Sequence, residues 1–542
     1  MPGSRPRATL LAAGAAALSL SLTLAACSSD SADPSDSSAG KAAAPHAGGR
    51  LTFALGSDPI CVDPHQAATN DAVYAARGLV DSLTDQDAAT GRIAPWLATS
   101  WDIAKDASEF TFHLRAGATF SDGTPVDAAA VKANFDAVVK LGAKSIFGSG
   151  YLSGYRGTEV VDAHTARVTF DHPNAQFLQA TSTTTLGLLS TGTLKRSAES
   201  LCAGPLIGSG PFELASYTPG KSVELVKRAD YTGGSTLWKH SGPAYLDRII
   251  FKVVPESGIR TGSLESGQLD AVSGVAPQDE AGLKSQGAKL LSRSNPGVPV
   301  ALSVNTSRPQ AGDIAVRRAL EVAIDRQEVV DTVLSPSYHP ATSSLSSTTD
   351  GYQDNSKLLA HDTAAAGRIL DAAGWQPGPG GIRTKNGVKL DLKVILAPNF
   401  GPNQSVLELV QQQVKKAGIG LTLKVLSIAD YQVAQKSGDY DLSWGNGTRA
   451  DPDILRTAFS SKLLNLSHID DPQLQSLLDA QAATADPAKR ATIVAQAQRR
   501  VLEQAYQIPV FEMTSVYALG SKVHDITLGS SSQAQFHDAW LS

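Results

Sequence analysis

Residues 390–425 constrain the fold more than any other stretch of the chain. Leu390, Leu392, Val394 and Leu396 recur at every second position, and Val406, Leu409, Val410 and Val414 then recur at helical spacing. Leu421, Leu423 and Val425 return to a period of two, with Gly418 marking the helix end between. A period of two marks a strand and a period near 3.6 a helix. Strand, crossover helix and strand of these lengths close as a parallel βαβ unit. Leu51, Phe53 and Leu55 alternate in the same way with Thr52 and Ala54, which predicts a half-buried strand. Phe110, Phe112 and Leu114 alternate with Thr111, His113 and Arg115. Ser121-Asp122-Gly123 supplies a turn, and Val131, Phe135 and Val138 lie on one helical face behind a start at 125–127. Further helices are predicted over 313–323, 362–374 and 486–501, the last with Asp486 at the N-cap and Pro487 at N1. The expected fold class is α/β with mixed sheets. Neither a repeat of fixed period nor a long linker cuts 50–542, so the domains are expected to interleave.

A chain of 542 residues is too long for one core and implies two or three domains. Its 42% hydrophobic and 18% charged residues are ordinary for a water-facing globular body. The net charge of −5 becomes more negative once Arg5 and Arg7 leave with a leader, which argues against a nucleic-acid partner.

The leader is read from its own chemistry. Arg5 and Arg7 form a positive region, Leu10 to Ala26 an apolar stretch, and Leu24-Ala25-Ala26-Cys27 has the small-residue-then-cysteine pattern of a bacterial lipoprotein signal. A transmembrane helix is the competing reading, but the span is short, rich in alanine and followed by Ser28-Ser29-Asp30. The expectation is a signal peptide over 1–26, lipidation at Cys27, a flexible tether over 27–49 poor in large apolar residues, and a body held on the outer face of a membrane. Of three cysteines, assigning Cys27 to lipid leaves Cys61 and Cys202 as a pair in an oxidising compartment. They form either a disulfide, which we expect, or two free buried thiols.

Enzyme motifs are missing. The chain has no Gly-x-Ser-x-Gly elbow and no His-Glu-x-x-His helix. Gly220-Lys221-Ser222 resembles the end of a phosphate loop, but Ala215 stands where the first glycine is required, so Pro219-Gly220 reads as a hairpin turn. The 11 histidines lack i, i+4 pairing. The expectation is therefore no catalytic residue, no cofactor and no metal.

Ala94-Pro95-Trp96-Leu97-Ala98-Thr99-Ser100-Trp101, the strand at 110–115, and Phe120-Ser121-Asp122-Gly123-Thr124-Pro125-Val126 together resemble the signature block of the extracellular solute-binding proteins of family 5. These are dipeptide, oligopeptide and nickel receptors of ATP-driven importers. Gly208-Ser209-Gly210-Pro211-Phe212, the 264–270 helix end, Val316-Arg317-Arg318-Ala319-Leu320 with Ala323-Ile324-Asp325-Arg326, and Asp451-Pro452-Asp453 are similar to later family blocks, in order. The likeness runs from about 50 to 520. Trp96, Trp101, Phe110 and Phe112 read as core, and Gly208 and Gly210 as positions whose backbone conformation is closed to other residues.

The resemblance implies a type II periplasmic-binding-protein-like fold, in its large three-domain variant, with two lobes of mixed sheets around a ligand cleft. Lobe I would combine 48–80, 207–296 and 520–542, with an inserted domain at 81–206 and lobe II at 297–519. It implies a monomeric substrate-binding lipoprotein that captures a peptide or other small solute and delivers it to an ABC permease. The alternatives are an exported hydrolase on the same scaffold or a solute-sensing receptor. The family's ligand-contacting segments fall at Thr69 and Asn70, at Asn399 and Phe400, and at Trp444, Asn446, Gly447, Thr448 and Arg449. Peptide receptors of the family carry an acid before the Asp-Pro-Asp turn, where this chain has Gly447, Thr448 or Arg449. Arg449 offers a planar fork for an anionic group, or else pairs with Asp451 or Asp453.

Overall fold

The structure is a computed structural model and describes residues 44–542. The expected signal peptide, Cys27 and most of the expected tether lie outside the described residues. Three sheets carry the body. The largest has seven strands in the order Lys289–Ser294, Thr514–Leu519, Ala271–Ser273, Arg50–Leu55, Arg248–Val253, Ser222–Lys227 and Phe212–Thr218. A six-stranded sheet runs His339–Pro340, Gln507–Glu512, Gly297–Val304, Leu442–Thr448, Asp391–Leu396, Gly420–Val425. The third, of four antiparallel strands, runs Ala98–Ile103, Glu109–Leu114, Thr165–Phe170, Tyr155–Asp162. Parallel and antiparallel pairs coexist in the two larger sheets, so the fold is mixed α/β.

The βαβ unit forms as its spacing requires. Asp391–Leu396 and Gly420–Val425 pair in parallel, joined by the helix Asn403–Lys416. That helix buries Val406, Leu407, Val410 and Val414, while Leu409 is only partly covered. The other signalled helices are Ile314–Ala323, Thr363–Ala372 and Pro487–Glu503, whose N-caps Asp313, Asp362 and Asp486 each accept a hydrogen bond from a first-turn N–H. Ala128–Leu141 is capped in the same way by Asp127.

Where the structure departs from the sequence reading, the cause is tertiary. Arg50–Leu55 is buried on both faces, not one, because it is the centre of its sheet and pairs in parallel with both neighbours. Phe53 alone meets the rings of Tyr74, Phe251, Tyr517 and Phe536, and its burial contributes about 1.5–3 kcal/mol. Gly208 and Gly210 are not at left-handed positions. They are required by close approach, since a Cβ at Gly208 would stand 1.9 Å from the Leu79 carbonyl oxygen and one at Gly210 2.5 Å from the Val80 nitrogen. Thr514–Leu519, expected with the 297–519 segment, belongs to the seven-stranded sheet, paired to Ala271–Ser273 and Lys289–Ser294. Trp101 is only partly buried, unlike Trp96, Phe110 and Phe112. Pro219-Gly220 is the hairpin turn between two antiparallel strands, with Gly220 at φ +70°. Cys61 and Cys202 are joined in a disulfide.

One buried acid has a thermodynamic consequence. Glu321, on the Ile314–Ala323 helix, is 5% exposed and its Oε1 has no hydrogen-bond partner. Burial pushes its carboxyl up to about 8, against the opposing fields of Arg326 and Arg318. The folded state thus holds this proton more tightly than the unfolded chain, so the associated stability is full below the unfolded carboxyl's range and is lost as pH rises through about 8. Glu321→Gln is expected to remove a decline with a slope approaching ~1.4 kcal/mol per pH unit across that window. Urea midpoints of both proteins from pH 5 to pH 9 measure it, and parallel curves refute it.

Candidate functional site

Two short crossings join the larger sheets, and they touch each other. Asn295-Pro296 leads from Lys289–Ser294 into Gly297–Val304, and Met513 alone links Gln507–Glu512 to Thr514–Leu519. The Asn295 amide donates to the Met513 carbonyl at 2.6 Å, and the Ser515 hydroxyl to Asn295 Oδ1 at 2.8 Å. Both crossings line a cavity of about 1040 Å³ whose other walls come from loops at the ends of both sheets. A smaller cavity of about 100 Å³ shares Thr69, Asn70 and Thr448 with it and extends to Arg449, Tyr151 and the 529–535 segment.

Most of the residues singled out from the sequence converge here. Thr69 is the N-cap of the helix Asn70–Arg77, its hydroxyl accepting from the Ala72 amide at 3.2 Å, and this cap presents Asn70 on the wall of both cavities. Asn399, Phe400, Asn446 and Thr448 line the larger cavity from the six-stranded sheet. Phe400 also lies 6.0 Å from Tyr338 and 6.2 Å from Phe511, so its ring is shared between cavity and core. Trp444 and Gly447 do not reach either cavity surface. Trp444 is 3% exposed; its indole N–H donates to Asn403 Oδ1 at 2.8 Å, and Asn403 in turn donates to Asn399 Oδ1 at 3.0 Å. It orients a wall residue from beneath instead of stacking on a ligand. Gly447 pairs with Val298 in the sheet.

Arg449 lines the smaller cavity. Its guanidinium donates to Gln176 Oε1 at 3.3 Å and Thr457 Oγ1 at 3.0 Å, and sits 5.5 Å from the Tyr151 ring. Among the described residues no carboxylate lies within ion-pair distance of it, because Asp451 is held by Arg490 and Asp453 by Arg456. Pairing of Arg449 with the Asp-Pro-Asp turn is therefore replaced by a cation whose charge faces neutral partners.

Two charged residues on the wall of the larger cavity escape sequence reasoning. Asp71 lines the larger cavity, its Oδ2 accepting from the Ser57 amide at 2.8 Å and the Ser57 hydroxyl at 2.7 Å. Burial raises its carboxyl above the ordinary carboxylate range, against the Ser57 hydrogen bonds and the field of Arg260, which pull it down. Arg260, also on the wall, spends its donors on the carbonyls of Val254, Pro255 and Gly274. An acid in the first turn of a helix has an ordinary role as partner of the helix dipole, which hides Asp71 from a reading by motif. The cleft thus offers both signs of charge on a polar and aromatic surface.

Among the described residues no helix is long and apolar enough to cross a membrane. The family model "Bacterial extracellular solute-binding proteins, family 5 Middle" matches residues 92–462. The probable D,D-dipeptide-binding periplasmic protein DdpA of Escherichia coli (strain K12) is 27% identical over 493 residues, covering 87% of this chain and 90% of that protein. Di/tripeptide-binding protein 3 of Pseudomonas aeruginosa (strain UCBPP-PA14) is 24% identical, covering 91% of this chain and 95% of that protein. The crystal structure of NikA from Brucella suis in complex with Fe(III)-EDTA superposes with a TM-score of 0.80 at 24% identity, over 91% of this chain and 100% of the other. A match across more than half the sequence, on a frame of two sheets and a shared cleft, places this chain in the bacterial extracellular solute-binding proteins, family 5.

Proposed function

We propose that the chain captures a peptide or peptide-like small solute outside the membrane and hands it to an ABC permease. The observation that carries this reading is the cavity itself, walled from both large sheets and floored by two hydrogen-bonded crossings. Such a floor is a hinge, and a ligand touching both walls favours the closed form over the open one. In this reading lobe I comprises about 48–80, 207–296 and 514–542, the inserted domain 81–206, and lobe II 297–513. Lipid on Cys27 would hold a monomer to the outer face of the membrane.

The relatives named for peptides support a zwitterionic ligand. With no acid before the Asp-Pro-Asp turn, Asp71 is the wall acid placed to receive an ammonium group. Arg449 is the clamp for an anionic group. Micromolar affinity needs about 8 kcal/mol, within reach of a cleft of this size after the cost of closure. Native mass spectrometry of protein purified from its own host identifies the co-purified solute, and calorimetry with that solute tests the clamp. Arg449→Ala is expected to weaken binding at least tenfold, on the order of 1.4 kcal/mol. Unchanged affinity removes the clamp, and the absence of any bound small molecule across a dipeptide set removes the peptide reading.

A further inference from the structure

His240, His537 and Asp538 meet at the C-terminal edge of the seven-stranded sheet's domain, on residues that line neither cavity of the cleft. Their candidate donor atoms all lie within 4.8 Å of one another. His240 Nδ1 and His537 Nδ1 each stand 3.0 Å from the same atom, Asp538 Oδ1. Each ring's other nitrogen is already committed: His240 Nε2 lies 3.1 Å from the Pro243 carbonyl oxygen and His537 Nε2 2.9 Å from that of Gly242.

That arrangement bears on the two tautomers. A nitrogen facing a carbonyl oxygen carries the hydrogen, so each neutral ring presents a bare Nδ1 lone pair. Both lone pairs then confront a carboxylate oxygen, which is also an acceptor. Consistent with this conflict, His240 Nδ1 is buried and makes no hydrogen bond. A hydrogen on His537 Nδ1 would satisfy its 3.0 Å contact with Asp538 and still leave His240 Nδ1 without a partner.

We propose instead that these three atoms bind a divalent transition-metal ion of the zinc class. Two imidazole nitrogens and one carboxylate oxygen suit such an ion, with a fourth position left for water. The 3.0 Å separations from Asp538 Oδ1 approach the edge of about 3.3 Å expected of a tetrahedral site. The surroundings have the character of a supporting shell, in which ligating rings donate their second N–H to carbonyl oxygens. The Lys239 amide donates to Asp538 Oδ2 at 3.0 Å, which orients Oδ1 inward. The Lys239 ammonium is itself engaged by Asp525, so its charge is compensated outside the cluster. Trp238 stacks on His537 at 3.9 Å and Tyr245 lies against His240 at 4.1 Å, and because the two imidazoles also stack on each other at 4.3 Å they would turn toward Asp538 when the ion enters. The ion would pin the loop around His240 to the C-terminal tail, giving a structural site. The sequence reading expected no metal because His240 lies far along the chain from the adjacent His537 and Asp538, and the histidines show no i, i+4 pairing.

The experiment uses untagged protein, stripped with a chelator and then titrated with zinc, followed by calorimetry and by the visible spectrum of the cobalt(II) form. The expected result is one equivalent bound, a four-coordinate cobalt spectrum, and at least tenfold weaker binding in both His240→Gln and His537→Gln. Arg449→Ala, which alters the cleft, should bind the metal as the parent does. The parent measurement stands without any variant: if the stripped protein takes up neither zinc nor cobalt, the site is refuted. Equal uptake by parent and both histidine variants also refutes it.

Discussion

Replacing Arg490 with methionine is expected to lower the unfolding free energy by about 3–5 kcal/mol, the cost of stranding a buried charge. Arg490 donates to both oxygens of Asp451 at 2.7 and 2.6 Å, and also to the carbonyl and side-chain oxygens of Gln481. Its side chain is 11% exposed and that of Asp451 4%. Without the guanidinium, the Asp451 carboxylate would keep its desolvation cost and lose its partner, with Asp453 close by in the same turn. The pair's net worth is smaller than the penalty for breaking it, so Asp451→Asn combined with Arg490→Met should recover part of the loss. The effect reaches the site, since the turn begins two residues after Arg449 and its geometry sets where that guanidinium points. Urea titration with an unchanged m-value is the measurement. A loss under about 1 kcal/mol, or a double variant worse than the single one, contradicts the argument.

How much of this was legible in the sequence depended on whether the deciding contact was local. The parallel unit at 391–425 was legible because periodicity and crossover length are properties of a short stretch. The same alternation at Leu51, Phe53 and Leu55 could not reveal that the opposite face is also covered, which depends on strands hundreds of residues away. The crossing before Thr514–Leu519 is hidden for a related reason: a single residue, Met513, separates two largely buried strands, and no composition change marks it, so the resemblance put the lobe boundary at 519. Wall positions such as Asn399, Asn446 and Thr448 were reached only through the order of family-like blocks, not from chemistry visible in the residues themselves. Trp444 shows the limit of that route. It lies in the strand whose end forms the wall, yet Asn403 and Phe511 cover it, and alternation alone cannot distinguish a covered side chain from an open one. Asp71 and the histidine cluster were not legible, because only folding brings Ser57 to the one and joins His240 to His537 and Asp538 in the other.

Removing the Cys61–Cys202 bond, by Cys61→Ser with Cys202→Ser, is expected to cost about 5 kcal/mol of stability. The bond closes a loop of 141 residues, and the chain-entropy account assigns the loss to greater freedom in the unfolded chain. The folded geometry has other supports at the same place. The Val62 amide donates to the Cys202 carbonyl at 3.1 Å, Gln66 Nε2 to the Ala198 carbonyl at 2.9 Å, and the Ser145 hydroxyl to the His65 carbonyl at 2.6 Å. These contacts keep the loop that leads to Thr69 and Asn70 in position when the sulfurs are gone. Stability and function should therefore separate: the double serine variant unfolds at a lower urea concentration yet keeps the parent's affinity for its solute to within about threefold, under ~0.7 kcal/mol. A reductant should shift the parent by the same amount and leave the variant where it is. If affinity falls in step with stability, the bond acts instead on the folded cleft, and the loop from Cys61 to Thr69 is held by its covalent tie and not by its hydrogen bonds.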